Sequence, residues 1–160
     1  MTRPFYETQE QVEAERRIIE RLGKAWGCSV AKAKRAYHID WVIGESPRVA
    51  FVEVKDRSTY GWEFLDAHGG VYVSALKWGM ALMLSWTTGV PVMLLVQTAG
   101  GELWWHRLAA REHDGVRMGG RVDRGDPQDV EPCVMLRSTR FKRLQEPTSE
   151  TQSQPEPEPF

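Results

Sequence analysis

Two acidic residues and a lysine lie on neighbouring segments whose pattern is typical of paired strands. Asp40 belongs to the segment HIDWVI (38–43), and Glu53 and Lys55 belong to VAFVEVK (49–55). Apolar and polar residues alternate along both segments, as they do in strands with one buried face. The intervening GESPR (44–48) has turn-forming residues, so the two segments are predicted to form a hairpin. Its buried face is expected to carry Ile39, Trp41, Ile43, Ala50, Val52 and Val54.

The apolar pattern also fixes the expected register of this hairpin. If Ile43 faces Ala50, then Asp40 lies directly opposite Glu53 on the other face. Opposed residues have Cβ atoms ~5 Å apart, and like charges at that separation are destabilising. A divalent cation would resolve the conflict, because Mg²⁺ is typically held by one or two carboxylates together with water and phosphate oxygens. Lys55 would share this face, where its ammonium could orient an attacking water or stabilise charge on a phosphate.

A helix predicted over residues 7–26 supplies a further carboxylate. Its apolar stripe includes Val12, Ile19, Leu22 and Trp26, and Glu15 falls on that stripe. A carboxylate among apolar neighbours needs a partner, so Glu15 could join the metal if the helix packs beside the hairpin. Gly23 and Gly27 are expected to weaken and then end the helix.

The same residues have simpler interpretations. Glu-x-Lys is common on exposed strand faces, and Asp40 could be a solvated acid paired with Lys55. Glu15 could equally be an ordinary glutamate at the edge of a helix. The spacing alone leaves both interpretations open.

The rest of the chain predicts a mixed sheet with helices packed against it. Residues 56–70 are expected to be irregular, and 71–73 to form a short strand. Ser74 can cap a helix that runs to about Thr88 and buries Leu76, Met80, Met83, Leu84 and Thr87. Further strands are predicted at 91–97, 103–107 and 133–136, with a loop or hairpin over 111–129. The order α, three β, α, β, β indicates an α/β protein of the α+β, mixed-sheet kind.

Aromatic residues divide between the predicted core and a possible binding surface. The core is expected to take Trp26, Trp41, Trp78, Trp86 and one of Trp104 and Trp105. Tyr60 and Trp62 lie in the segment predicted to be irregular, where they could either pack internally or stack on nucleic-acid bases.

These features together resemble the PD-(D/E)xK nuclease superfamily, which has a restriction-endonuclease-like fold with an αβββαβ core. The resemblance rests on a helix with a core-side Glu, the Asp of YHIDWVI, the Glu-x-Lys of AFVEVKDRS and the helix that opens with SALKW. It covers roughly residues 7–107 and extends to small phage nucleases and Holliday-junction resolvases. One difference is that Ile39, rather than proline, precedes Asp40.

The resemblance implies a role for each matching residue. Asp40 and Glu53 would be metal ligands, and Lys55 would be the catalytic lysine that positions the nucleophilic water. Glu15 resembles the first-helix acid of the superfamily and would be a third metal ligand, since the competing acids Glu13 and Glu20 share the apolar stripe less well. Lys77 resembles an extra basic residue that some members place near the scissile phosphate, although a solvated helix lysine would look the same.

Composition limits the location and organisation of the protein. The 160 residues carry a net charge of −1 and are predicted to form a nuclease-like domain (1–144) and a disordered, acidic, proline-rich tail (145–160). Without the four acids of the tail, basic residues outnumber acidic ones. Neither a secretory signal nor a membrane span is predicted, and the two distant cysteines are expected to be reduced in the cytoplasm.

The expected function is hydrolysis of phosphodiester bonds, most plausibly of DNA, with Mg²⁺ or Mn²⁺ as the cofactor. The partner would be nucleic acid, and the protein could act as a homodimer or within a larger nucleoprotein complex. An alternative is a non-catalytic nucleic-acid-binding or assembly protein that keeps the same fold. No zinc-ligand spacing, P-loop or dinucleotide motif points to another chemistry.

Overall fold

The structure, a computed structural model, describes residues 8–33, 39–44, 49–120 and 130–146. Its α-helices are α1 (Gln9–Trp26), α2 (Trp62–Ala67) and α3 (Ala75–Thr88). Its strands are β1 (Val30–Lys32), β2 (Trp41–Ile43), β3 (Ala50–Arg57), β4 (Val71–Ser74), β5 (Val92–Thr98), β6 (Leu103–Arg107), β7 (Gly115–Gly120), β8 (Val130–Leu136) and β9 (Lys142–Arg143). The first residue of the predicted hairpin, most of its turn (45–48) and the tail beyond Glu146 lie outside the described residues.

Helix α1 begins and ends with specific capping interactions. The Thr8 hydroxyl accepts a hydrogen bond from the Gln11 N–H, and the Gln11 side chain accepts one from the Thr8 N–H, which makes a capping box. Gly27 ends the helix in the left-handed conformation at φ 65°. Gly23 has a role that the sequence did not indicate. A Cβ at Gly23 would lie 2.6 Å from Val30 Cγ1, so the glycine lets β1 pack directly on the helix.

Six strands form the central sheet, in the order β1-β2-β3-β5-β6-β9. Strands β3 and β5 are parallel neighbours, whereas all other neighbouring pairs are antiparallel. The residues of β5 are almost all buried, because this continuous apolar run is covered on both faces of the sheet.

Two apolar clusters cover the two faces of this sheet. One joins Ile18, Ile19 and Leu22 of α1 to Trp41 and Val52. The other joins β3 and β5 to α3 and to the second sheet, and includes Phe51, Val73, Trp78, Leu94 and Leu136. Strand β3 contributes to both clusters, so both of its faces are buried rather than one.

A second, three-stranded antiparallel sheet has the order β4-β8-β7. It pairs Ser74 with Cys133, and Cys133 with Arg117. Strand β4 leads directly into α3, so this sheet fixes the first turn of that helix. The mixed α/β architecture predicted from the sequence is confirmed, with α1 on one face of the central sheet and α3 on the other.

The local structure differs from the sequence predictions at three places. Residues 56–70 are not irregular throughout, because β3 continues to Arg57 and α2 covers Trp62–Ala67. Strand β1 had not been predicted. Ile39 does not share a face with Trp41: it packs in the cluster of Phe51, because a bend at Asp40 interrupts the alternation.

The buried side of α3 was also predicted wrongly. Trp78 and Ala81 are buried, as was expected for Trp78, whereas Leu76 is 68% exposed and Trp86 is 86% exposed. Met83 and Thr87 are exposed as well. Helix α3 carries apolar residues around most of its circumference, so periodicity could not identify the buried side.

The described residues include no helix with both the length and the apolar character needed to cross a membrane. Cys28 and Cys133 are both free thiols.

Asp114 fastens the second sheet to the segment that follows β8. Its carboxylate accepts hydrogen bonds from Arg140 Nε at 2.6 Å, Arg140 Nη2 at 3.0 Å and the Arg137 N–H at 2.8 Å. Mainly through the Arg140 hydrogen bonds, these groups lower the pKa of Asp114 from its ordinary 3.8 to about 2.

We expect Asp114→Asn to lower the free energy of unfolding at pH 7 by about 1–2 kcal/mol, which is at the low end for hydrogen bonds to a charged group because solvent screens this pair near the surface. A depressed native-state pKa gives stability that is complete above the unfolded-state pKa and is lost as the pH falls through the native value. The difference between wild type and variant should therefore shrink between pH 4 and pH 2. Urea unfolding at pH 7, 4 and 2.5 measures it, and a difference that stays constant with pH would contradict this assignment.

Candidate active site

Asp40 lies in the bend that precedes β2. The predicted register is confirmed where the strands pair, since Ile43 faces Ala50 and Trp41 faces Val52. The ladder ends there, so Asp40 is not held opposite Glu53 by strand pairing. Instead, its Oδ2 accepts a hydrogen bond from the Val54 N–H at 2.9 Å, which places the carboxylate against β3.

Glu53 occupies the middle of β3, where its side chain is 1% exposed. Its Oε1 accepts hydrogen bonds from Lys55 Nζ at 2.7 Å and from Lys77 Nζ at 2.5 Å. Its Oε2 is buried and has no hydrogen-bond partner among the residues that the structure describes. Sequence patterning placed Glu53 on the outer face of a hairpin, but α3 and the second sheet cover that face.

Lys77 brings the two acids into one group. It projects from the first turn of α3, with its Nζ 2.5 Å from Glu53 Oε1 and 3.9 Å from Asp40 Oδ1. Ser74 precedes this turn, but its hydroxyl does not cap the helix as predicted: it donates to Glu131 Oε2 at 2.8 Å. The charged side chains of a bend, a strand and a helix therefore form one cluster, which consists of Asp40, Glu53, Lys55 and Lys77.

The charges within this group shift the pKa values of the two acids in opposite directions. Burial, reinforced by the charge of Glu53, raises the pKa of Asp40 to about 7, against the lowering effects of Lys77 and the Val54 N–H. Burial also pushes the pKa of Glu53 upward, but the ammonium groups of Lys55 and Lys77 outweigh it and lower that pKa to about 2. The same contacts raise the pKa of Lys77 in spite of its burial. Glu53 is thus a fixed anion, and a cation near Asp40 would favour its ionised form too.

The donor set suits a hard divalent cation bound through two carboxylates. Mg²⁺ usually takes one or two carboxylates and completes its coordination with water and phosphate oxygens. The unpartnered Glu53 Oε2 is a buried acceptor of the kind that such an ion would satisfy. Within the described residues, no group of three or more His, Cys, Asp and Glu side chains gathers in a way that could hold a metal.

Glu15 has partners of its own outside the pair of acids. Its Oε2 lies 3.1 Å from Lys32 Nζ and accepts a hydrogen bond from Trp41 Nε1 at 3.4 Å. The expected partner for this carboxylate therefore exists, but it is a lysine on β1 and an indole on β2. Glu15 is still close enough for its charge to raise the pKa values of Asp40 and Lys77.

The aromatic residues near the end of β3 are only partly available for binding. Trp62 stacks on Trp104 with ring centroids 4.3 Å apart and also contacts Phe141, so it packs internally. Tyr60 is 43% exposed and stacks on Phe64, which is exposed to a similar degree. The sequence had singled out Tyr60 but not Phe64, because helix α2 had not been predicted.

Two parts of the site could not be found from sequence patterns. The Val54 amide that holds Asp40 is a backbone group and leaves no signal in the residue type. The link between Ser74 and Glu131 joins residues far apart in the chain, which meet only because β4 and β8 pair.

An acid at a bend, a Glu-x-Lys strand and helices on both faces of a mixed sheet define the PD-(D/E)xK class of restriction-endonuclease-like proteins. A family model described as "Phage putative PDDEXK endonuclease" matches residues 1–144. The chain belongs to this family, and its membership identifies it as a nuclease of the PD-(D/E)xK type. None of the curated proteins matches the chain.

Proposed function

We propose that this protein hydrolyses phosphodiester bonds of DNA with Mg²⁺ or Mn²⁺ bound at Asp40 and Glu53. The observation that carries the proposal is the pair of acids gathered around the Lys77 ammonium, one of which has a buried oxygen without a partner. When bound, the ion supplies a Lewis acid that polarises the phosphoryl group and makes water a better nucleophile.

The residues around this pair have separate tasks. The Val54 N–H fixes the orientation of Asp40, and Glu53 fixes the ammonium of Lys55. Lys55 lies on the same strand as Glu53 and is 19% exposed, so it can reach a bound phosphate while its stem stays held. Its ammonium positions the attacking water and stabilises charge that develops on the phosphate. Glu15, which contacts Lys32 and Trp41, contributes negative charge to the surroundings of Asp40 and Lys77.

Cleavage assays test this directly. Purified protein is incubated with linear, circular and branched DNA in Mg²⁺, in Mn²⁺ and in chelator. Cleavage that requires either ion supports the proposal, whereas cleavage that survives chelation, or no cleavage of any substrate in either ion, counts against it. The alternative of a non-catalytic binding protein predicts retention of DNA without cleavage.

Metal addition is also expected to stabilise the folded protein. An ion that binds only the native state, at ten times its Kd, should raise Tm by about 3–6 °C for a domain of this size. Differential scanning fluorimetry with Mg²⁺ and Mn²⁺ measures the shift. Glu53→Gln should abolish the shift, and Glu20→Gln, which changes an exposed acid on α1, should keep it. An equal shift in both variants would place the ion elsewhere.

A further inference from the structure

The two lysines that contact Glu53 differ in a way that separates their roles. Lys55 lies on β3 itself and its side chain is 19% exposed. Lys77 comes from α3, its side chain is 39% exposed, and its ammonium also lies 3.9 Å from Asp40. Only Lys77 therefore stands between the two acids, in the position that neutralises both.

The helix itself does not favour a cation at this position. The first turn of an α-helix carries a partial positive charge, which stabilises acids and destabilises lysine there. The first turn of α3 contains no acidic residue, and the Ser74 hydroxyl is engaged by Glu131 rather than by the helix. The attraction that holds the Lys77 ammonium in place thus comes from Glu53 and Asp40.

The charges of the group restrict what can be added to it. Asp40 and Glu53, when ionised, balance Lys55 and Lys77, so a divalent cation would bring two uncompensated charges into a largely buried site. Buried charge without a partner is strongly unfavourable. Movement of the Lys77 side chain toward solvent would remove one of these charges. Lys77 is the lysine that can move, because it is more exposed than Lys55 and lies on a helix rather than on the strand that carries Glu53.

We propose that Lys77 is an internal counter-ion that competes with the divalent metal for Asp40 and Glu53, and that a DNA phosphate relieves the competition by pairing with the released ammonium. This proposal rests on the proposed function. It means that metal and DNA bind cooperatively. The metal displaces the Lys77 ammonium, which can then pair with a DNA phosphate, and the phosphate draws the ammonium away from the acids that bind the metal. The site then binds its metal more tightly when substrate is present.

Metal binding without DNA tests the competition. Mn²⁺ affinity is measured by titration calorimetry for wild type, Lys77→Met and Lys142→Met, the last of which removes an equal charge from β9 at the far edge of the sheet. Lys77→Met should bind Mn²⁺ about tenfold more tightly than wild type, within the usual range of coupling between sites. Lys142→Met should bind like wild type. Lys77→Gln, which can still donate a hydrogen bond to Glu53, should also bind more tightly and serves if the methionine variant does not fold.

The same titration with DNA tests the cooperativity. A short duplex with phosphorothioate linkages, which slow hydrolysis, is added at saturation. It should raise the Mn²⁺ affinity of wild type and of Lys142→Met several-fold. In Lys77→Met this increase should be largely absent, because no ammonium remains to be drawn away.

The possible results distinguish failure of the competition from failure of the proposed nuclease function. The competition is overturned if Lys77→Met and Lys77→Gln bind Mn²⁺ no more tightly than Lys142→Met. If Glu53→Gln abolishes binding in the same experiment, the proposed metal site is still supported. Weaker binding in Lys77→Met would overturn the competition in the same way. If wild type binds no Mn²⁺ with or without DNA, both proposals fail.

Discussion

Glu53→Gln is expected to reduce DNA cleavage by about 10³-fold or more, the scale reached when a group that organises charge in an active site is removed. A single oxygen of Glu53 holds both Lys55 and Lys77, and the other is the unpartnered acceptor assigned to the metal. The amide preserves the shape of the side chain but removes its charge. One substitution therefore loosens two lysines and weakens the metal site together.

Three further variants show whether this loss belongs to the site. Asp40→Asn and Lys55→Met should each remove most of the activity, measured as initial rates on the best DNA substrate in Mg²⁺. Glu20→Gln alters an exposed acid of α1 and should cleave at the wild-type rate. Circular dichroism confirms that each variant is folded. Full activity in Glu53→Gln or Lys55→Met would exclude the proposed chemistry.

Gly70→Ala is expected to prevent stable folding, with a loss of about 3 kcal/mol or more in the free energy of unfolding. Gly70 has φ 100°, and a Cβ there would lie 2.0 Å from the Leu136 carbonyl oxygen. The contact is with backbone, so no side-chain rotation can relieve it. Displacement of β4 from β8 would also disturb Ser74 and the first turn of α3, which carries Lys77.

Gly79→Ala is the matched control for this substitution. Gly79 lies within α3, and among the described residues no atom beyond the adjacent residues and the helix's own backbone lies within 4 Å of a Cβ placed there. Alanine should therefore stabilise the helix by about 0.5–1 kcal/mol. Thermal and urea unfolding of the two variants should give opposite signs, and a Gly70→Ala protein as stable as wild type would disprove the close approach.

The placement of Glu53 and Lys55 on β3 was predictable because their positions were tied to apolar neighbours. The alternation around Glu53 and Lys55 fixed a strand, and Ile43 and Ala50 fixed its register. Residues two apart on a strand share a face, so the common face of Glu53 and Lys55 followed from spacing alone. The ion pair that the sequence suggested for Lys55 was with Asp40, whereas the structure pairs Lys55 with Glu53. The environment of that face could not be predicted, because residues distant in the chain cover it.

The bend at Asp40 was not predicted from the apolar pattern. Extension of the alternation to Ile39 put Asp40 opposite Glu53 through regular pairing, whereas the chain bends and the acid is held by the Val54 amide. Local sequence did not distinguish a strand from a bend followed by a short strand. The two acids still meet at Lys77, which the superfamily resemblance had identified and spacing had not.

Helices α2 and α3 illustrate the effect of tertiary context on short or uniformly apolar segments. The six residues of α2 are too few for a periodic signal, and the helix depends on packing of Trp62 and Leu65. In α3, tryptophan at position 78 is buried and tryptophan at 86 is exposed. Residue type therefore did not decide burial, since Trp78 lies on the side of α3 that packs in the cluster with both sheets.

The burial of β3 on both faces has an evolutionary consequence. Four ionisable groups are embedded beside the core, and arrangements of that kind are often neutral or even more stable when apolar residues of similar size replace all of them. If a descendant were no longer selected for cleavage, joint replacement of the charged residues at positions 40, 53, 55 and 77 by apolar ones would maintain or increase its folding stability. Inactive relatives of this chain would be recognised by that coordinated replacement, with the surrounding apolar framework left intact.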